Sequence, residues 1–256
     1  MLTEHTLFGI EDKIETAIKR LKLYEPKEGY YLAFSGGKDS VTIKKLAELA
    51  GVKFDAHYNV TTIDPPELVK FIRQYHPDVI FEKPKKPMLE LVKKYGLPLR
   101  KHRWCCALYK ERGGKGRRVI TGVRWEESAR RSQRKMVEYC AKDETKTFMN
   151  VIIDWTADDV WEFIKAYNVP YCSLYDEGFT RIGCLFCPMA SKGRIKQAER
   201  YPKFLEAFRK AATYYYNNNC KSERILLCGS GDKYFEWWLY GKKDENEDED
   251  QCVMFE

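Results

Sequence analysis

Tyr30-Tyr31-Leu32-Ala33-Phe34-Ser35-Gly36-Gly37-Lys38-Asp39-Ser40 decides the reading of this 256-residue chain. Residues 30–34 form a short apolar run and read as a buried strand. From Ser40 onward, Val41, Leu46, Leu49 and Ala50 recur at helical spacing. A strand, a glycine turn and a helix in that order make a place to hold a phosphate. Two glycines let the backbone approach an anion, successive N–H groups point at it, and the positive end of the helix dipole adds attraction. Lys38 brings a full charge, and Ser35 and Ser40 bring hydroxyl donors. The spacing differs from that of the Walker loop, in which four residues separate the first glycine from the Gly-Lys pair.

Upstream, Ile10, Ile14, Ala17, Ile18 and Leu21 predict an amphipathic helix, closed by Pro26 and Gly29. Downstream, Phe54–Val60 reads as a second strand. Asp64 is positioned to cap a helix with proline at its first position and Glu67 three residues after the cap. Residues 79–81 predict a third strand, 88–94 a helix, and Arg118–Val123 a fourth strand. Strands alternating with helices give an α/β fold, a parallel twisted sheet with helices on both faces and ligands at the carboxyl ends of its strands. Thr156 and Asp159 have the spacing of a helix cap. Residues 190–240 predict a helical region whose aromatics, among them Tyr214-Tyr215-Tyr216 and Trp237-Trp238, are packing residues. The expected division is an N-terminal helix over 1–28, the loop-bearing domain over 29–189, the helical region over 190–243 and a disordered acidic tail over 244–256.

The tail holds seven acids and no Lys or Arg, so the formal charge of +7 leaves +14 on residues 1–243. A body that basic favours polyanionic partners, with nucleotide phosphates first and nucleic acid as a further expectation. No apolar run reaches membrane-spanning length, and the N-terminal segment lacks the apolar core of a signal peptide. A cytoplasmic protein without membrane contact is therefore expected. Nine cysteines in a reducing compartment point to metal or redox roles before disulfides.

Cys105-Cys106 and the C-x-x-C pair Cys184 and Cys187 together supply four thiolates. Adjacent cysteines diverge, which suits a [4Fe–4S] cluster better than a small tetrahedral zinc ion. A metal-free, redox-active C-x-x-C is the remaining alternative. After the fourth strand comes Gly122-Val123-Arg124-Trp125-Glu126-Glu127-Ser128-Ala129-Arg130-Arg131. Its arginines suit phosphate or sulfate through paired, charge-assisted bonds. Glu127 is placed to orient Arg124 or a metal, and Ser128 to cap a helix.

These blocks, with Lys110, Trp155 to Trp161 and Pro170-Tyr171 to Pro188, resemble the phosphoadenosine phosphosulfate (PAPS) reductase family of the PP-loop ATP pyrophosphatase superfamily. The resemblance spans roughly residues 30–190. It implies that Ser35, Gly36, Gly37, Lys38, Asp39, Ser40, Gly122, Arg124, Glu127, Ser128, Arg130 and Arg131 bind an adenosine nucleotide. Lys38, Arg124 and Lys110 are the implied catalytic cations. Cys105, Cys106, Cys184 and Cys187 are the implied ligands of a [4Fe–4S] cluster. Thioredoxin-dependent members of the family carry a degenerate loop and end in Glu-Cys-Gly-Leu-His. Here the loop is complete and the chain ends Asp-Gln-Cys252-Val-Met-Phe-Glu, with acids that disfavour a Cys252 thiolate. The expected activity is cleavage of ATP, with Mg²⁺, to AMP and pyrophosphate, adenylylating an acceptor and coupled to sulfur transfer or redox chemistry. A sulfur-donor or electron-donor protein is the partner this implies. The alternatives are a thioredoxin-dependent sulfonucleotide reductase releasing sulfite and a non-enzymatic nucleic-acid-binding protein.

Overall fold

The structure is a computed structural model, and it describes residues 2–6, 9–141, 143–190 and 193–241. The expectations for the acidic tail and for Cys252 lie outside the described residues. Along the chain the elements are β1 (Thr3–Thr6), β2 (Gly9–Asp12), α1 (Lys13–Leu23), β3 (Tyr30–Phe34), α2 (Lys38–Ala50), β4 (Phe54–Asn59), α3 (Pro66–Tyr75) and β5 (Ile80–Glu82). Then follow α4 (Met88–Tyr95), α5 (Trp104–Tyr109), β6 (Arg118–Thr121), α6 (Ala129–Ser132), β7 (Val137–Cys140), β8 (Asp143–Asn150) and α7 (Ala157–Ala166). The C-terminal part is helical: α8 (Gly193–Arg200), α9 (Pro202–Asn218), α10 (Glu223–Leu226) and α11 (Gly231–Tyr240). The chain divides into two compact units, each discontinuous in sequence.

The first unit comprises Met1–Asn59, Pro66–Glu82 and Arg112–Gly183. Its six-stranded sheet has the order β5-β4-β3-β6-β8-β7. Five strands run parallel, and β7 pairs antiparallel with β8 at one edge. β3 is central, and Leu32 stands opposite Ala56 on one side and Ile120 on the other. Four of the five β3 residues are buried, as expected of a strand covered on both faces. Complete burial of Leu32 alone contributes about 1.5–3 kcal/mol.

Val41, Ile43, Leu46 and Ala47 of α2 are buried, as are Ala17 and Leu21 of α1 and Val160, Phe163 and Ile164 of α7. Asp12 caps α1, its carboxylate accepting from the N–H groups of Ile14 and Glu15 at 2.7 and 3.1 Å. The predicted cap of α7 is a full capping box. Asp159 N–H donates to Thr156 Oγ1 at 3.1 Å, and Thr156 N–H to the Asp159 carboxylate at 2.8 Å. Two expectations differ in detail. Ile10 lies in a hairpin strand, not in the first helix, because Asp12 starts that helix. The Asp64 carboxylate turns back to accept from the Thr61 N–H and hydroxyl at 2.7 Å each, so it caps no helix.

The second unit comprises Val60–Pro65, Lys83–Glu111 and Cys184–Glu256. Its core gathers Met88, Leu91 and Val92 of α4, Phe208, Ala211 and Ala212 of α9, and Tyr234, Phe235, Trp238 and Leu239 of α11. Phe208 and Trp238 stack with centroids 5.9 Å apart. The polar ends of its aromatics find backbone partners: Trp238 Nε1 donates to Pro98 O at 2.8 Å, and Tyr234 Oη accepts from Leu97 N–H at 2.9 Å. Among the described residues, no helix is long and apolar enough to cross a membrane.

Candidate functional site

In the first unit, Ser35–Ser40 connects the carboxyl end of β3 to the first turn of α2. Gly36 has φ +71°, and a Cβ there would stand 2.6 Å from Leu68 Cδ1 and 2.9 Å from Ile72 Cδ1. Only glycine satisfies both the backbone and the space. Gly37 is the N-cap of α2 and leaves the first N–H groups of the helix uncapped by its own side chain. Ser40 Oγ donates to Gly37 O at 2.8 Å, and the Ser35 and Ser40 hydroxyls lie 3.2 Å apart. The backbone N–H of Lys38 donates to the Tyr175 hydroxyl oxygen at 2.8 Å. Trp161 packs edge-on against the Tyr175 ring, with centroids 5.0 Å apart, and holds it there. Burial pushes the Tyr175 hydroxyl well above the usual tyrosine range, so it is a neutral acceptor.

Asp39 ties the loop to the segment after β6. Its carboxylate accepts from Arg124 Nε at 2.8 Å and lies 3.4 Å from Lys38 Nζ. Gly122 lies flush against it: a Cβ on Gly122 would stand 2.9 Å from Asp39 Cβ and 3.1 Å from its carbonyl oxygen. Arg124 is buried, and its Nη1 also reaches the Glu126 carboxylate at 2.7 Å. Burial works against the charge of Arg124, but Asp39 and the two glutamates more than offset it, and its pKa rises. Glu127 accepts from the Arg124 N–H at 3.0 Å and pairs with Arg131. Ser128 caps α6, its hydroxyl accepting from the Arg131 N–H at 3.3 Å. Arg130 is exposed.

The structure therefore brings Ser35–Ser40, Gly122, Arg124, Glu127, Ser128 and Arg131 into one network. Within it Arg124 acts as a buried brace between carboxylates, and Lys38 is the cation nearest the loop's donors. Tyr175 and Glu126 are the additions that sequence reasoning missed. Glu126 braces Arg124 and also accepts from the Ala157 N–H at 2.6 Å, at the start of α7.

In the second unit, Cys105 and Cys106 lie on α5, and Cys184 and Cys187 flank a turn that enters a short 3₁₀ helix at Pro188–Ala190. That turn depends on Phe186, which has φ +55°, a left-handed conformation that costs about 1–2 kcal/mol without glycine. Burial of its ring, a bond from its N–H to Gln197 Oε1 at 2.7 Å and one from Leu185 N–H to Ile63 O at 2.9 Å hold it. All four thiols line one pocket with Arg103 and Lys110, among apolar groups that include Ile63, Met88 and Phe208. Lys110 Nζ is 3.4 Å from Cys184 Sγ.

The thiols fall into two neighbouring pairs, Cys105 with Cys106 and Cys184 with Cys187. The bond to Cys106 and burial push the Cys105 thiol up. The bond from Cys105, opposed by burial and aided by Lys110 and Arg103, lowers Cys106 to about 6. The bond to Cys187 pushes Cys184 up, and the nearby sulfurs raise the pKa of Lys110. Among the described residues, no three His, Cys, Asp or Glu side chains stand together at the spacing one metal ion requires. The donor set is instead two thiol pairs on an apolar pocket with two cations beside it. Four thiols are a donor set that a [4Fe–4S] cluster and a zinc ion can each use.

Comparison with known proteins agrees with this architecture. An uncharacterized protein of Methanocaldococcus jannaschii is 31% identical over 216 residues, covering 77% of this chain and 45% of that protein. Adenosine 5'-phosphosulfate reductase 2 of Bacillus subtilis is 30% identical over 159 residues, covering 58% of this chain and 65% of that protein. The chain thus spans less than half the length of the archaeal relative. Among solved structures, the phosphate complex of phosphoadenylyl-sulfate reductase from Candida auris shares the fold. Its TM-score is 0.52 at 21% identity, over 66% of this chain and 88% of that one. The family model for the phosphoadenosine phosphosulfate reductase domain matches residues 29–190, and the chain belongs to that family.

Proposed function

We propose that this chain is a PP-loop enzyme that binds ATP on Ser35–Ser40 and cleaves it to AMP and pyrophosphate, adenylylating an acceptor. The observation that carries this reading is the complete loop. Gly36 clears the approach, the Lys38 N–H is directed at an oxygen acceptor, and two hydroxyls and the Lys38 ammonium stand beside it. A phosphate oxygen is a stronger acceptor than the Tyr175 hydroxyl that now takes the Lys38 N–H. Mg²⁺ would enter with the phosphates, because the loop's own carboxylate, Asp39, is engaged by Arg124 and Lys38. An acceptor oxygen attacks the α-phosphorus, the bond from that phosphorus to the bridging oxygen breaks, and pyrophosphate leaves. AMP is freed when a sulfur nucleophile or water then displaces it from the acceptor, water standing in for the acceptor when none is supplied. The residues contribute position and positive charge; Lys38 offsets the charge that grows on the leaving oxygen. Arg124, through Asp39, fixes the start of α2.

Cys105, Cys106, Cys184 and Cys187 are proposed to hold a [4Fe–4S] cluster, which when bound would supply sulfur or electrons to the activated acceptor. Incubation with ATP and Mg²⁺ is expected to yield AMP and pyrophosphate. Lys38→Ala should lower turnover by about 100-fold or more; intact turnover in that variant would sink the reading. Anaerobic purification is expected to give a brown protein containing iron and sulfide, and a colourless zinc-loaded protein would refute the cluster. A second reading, reduction of adenosine 5'-phosphosulfate, is favoured by the names of relatives such as the Bacillus subtilis protein. Sulfite release from that compound with a thiol reductant, in the absence of ATP cleavage, would establish it.

A further inference from the structure

Between Lys83 and Glu111 the second unit carries nine Lys or Arg residues against two acids, Glu90 and Glu111. All nine cations are exposed. They are interleaved with the exposed rings of Tyr95 and Tyr214, and with Trp104, which is half-buried against the core. Tyr95 at the end of α4 is 45% exposed, and its ring lies 5.5 Å from that of Trp104 on α5. Lys94 Nζ sits 5.1 Å from the Tyr95 ring, and Lys93 Nζ 5.4 Å from the ring of Tyr214, which is 48% exposed. Trp104 is next in sequence to Arg103 and to Cys105, both of which line the cysteine pocket. A continuous track of cations and rings therefore leads from that pocket over α5, α4 and α9.

We infer that this track binds a single-stranded nucleic acid, with phosphates on the lysines and bases stacked on Tyr95 and its neighbours. Charge alone would suit any polyanion. The rings favour a strand, because every base offers a face to stack on them; a membrane surface also accepts rings set among cations, and anionic vesicles are therefore the control. A strand on this track has a base or sugar at the cysteine pocket, which would make nucleic acid the acceptor class. That last step rests on the ATP reading above, whereas the binding itself does not.

Fluorescence anisotropy of the full chain with a labelled single-stranded RNA and its DNA counterpart, without ATP, tests the inference. Affinity is expected to fall linearly with salt on logarithmic axes. Lys93→Ala with Lys94→Ala should reduce the slope by about 1.4, at about 0.7 per phosphate contact on a single strand. Tyr95→Ala should weaken binding about 10-fold with little change of slope, and Tyr95→Phe should restore it. Equal affinity of Tyr95→Ala and the parent chain would overturn the inference, as would anionic vesicles binding where the strand does not. Binding seen only after removal of residues 244–256 would also overturn it, in favour of the chain's own acidic segment as the occupant. A strand that binds to a protein unable to cleave ATP leaves the binding track standing and refutes the ATP reading alone.

Discussion

Replacing Gly36 by alanine tests the loop most directly, because two separable costs can be worked out from its surroundings. The first is the left-handed backbone at φ +71°, about 1–2 kcal/mol for a residue with a Cβ. The second is the new methyl group, 2.6 Å from Leu68 Cδ1 and 2.9 Å from Ile72 Cδ1. Leu68 and Ile72 are both fully buried, so they yield only by shifting α3, an overpacking cost of about 1–3 kcal/mol. Together the substitution should destabilise the first unit by about 2–5 kcal/mol. Gly116→Ala is the control. Its φ of +70° carries the same backbone cost, but nothing lies within 4 Å of the added carbon. Urea denaturation followed by tryptophan fluorescence compares the three proteins, with Trp155 and Trp161 reporting on this unit. The expected order is parent, Gly116→Ala, Gly36→Ala. A loss of less than about 0.5 kcal/mol for Gly36→Ala, the scale of a neutral surface change, would refute the reasoning.

Arg124→Gln leaves Glu126 without the Arg124 cation and Asp39 with Lys38 alone. The expected destabilisation is about 3 kcal/mol, the lower end for a broken buried pair because Glu126 is half exposed, and a denaturation midpoint unchanged from the parent would contradict it. Gly122→Ala presses a methyl group on the Asp39 backbone and should weaken ATP binding in titration calorimetry more than it lowers stability. Asp159 is buried, which by itself raises its pKa, but bonds from Lys13 and from the Thr156 N–H hold it down at about 2, against 3.8 for a free carboxyl. A depressed carboxylate contributes stability that is complete above the unfolded value and lost as pH falls from about 4 towards 2. Asp159→Asn should therefore destabilise the protein at neutral pH and progressively less in acid. A constant difference across that range would show that the charge is not what Asp159 contributes.

The β3–loop–α2 unit was legible because a short apolar run, two glycines and a helical pattern follow one another without interruption. The cap of α7 was legible for the same local reason, Thr156 and Asp159 being three residues apart. Strands β7 and β8 were not, since β7 is only four residues long, β8 opens on the polar run Asp143-Glu144-Thr145-Lys146-Thr147, and solvent reaches the β7 edge. The six-residue helix α5 is too short to show a period. Tyr175 could not be found from sequence because its partner is a backbone N–H 137 positions away. Arg124 was read as an anion ligand; its burial depends on Asp39, 85 residues upstream, and no pattern of neighbours shows that.

The hydroxyl of Tyr175 gives the loop a resting ligand. When an anion arrives, the Lys38 N–H trades one acceptor for another, and its net gain is the difference between the two bonds. Under the proposed ATP cleavage, the same hydroxyl would return as pyrophosphate departs and spare the helix terminus an unpaired donor. The barrier to release is lowered by about what one buried unpaired N–H would cost, about 1–3 kcal/mol. If the proposed ATP cleavage holds, a loop furnished in this way would cycle its product and not store it, and Tyr175→Phe would be expected to slow pyrophosphate dissociation.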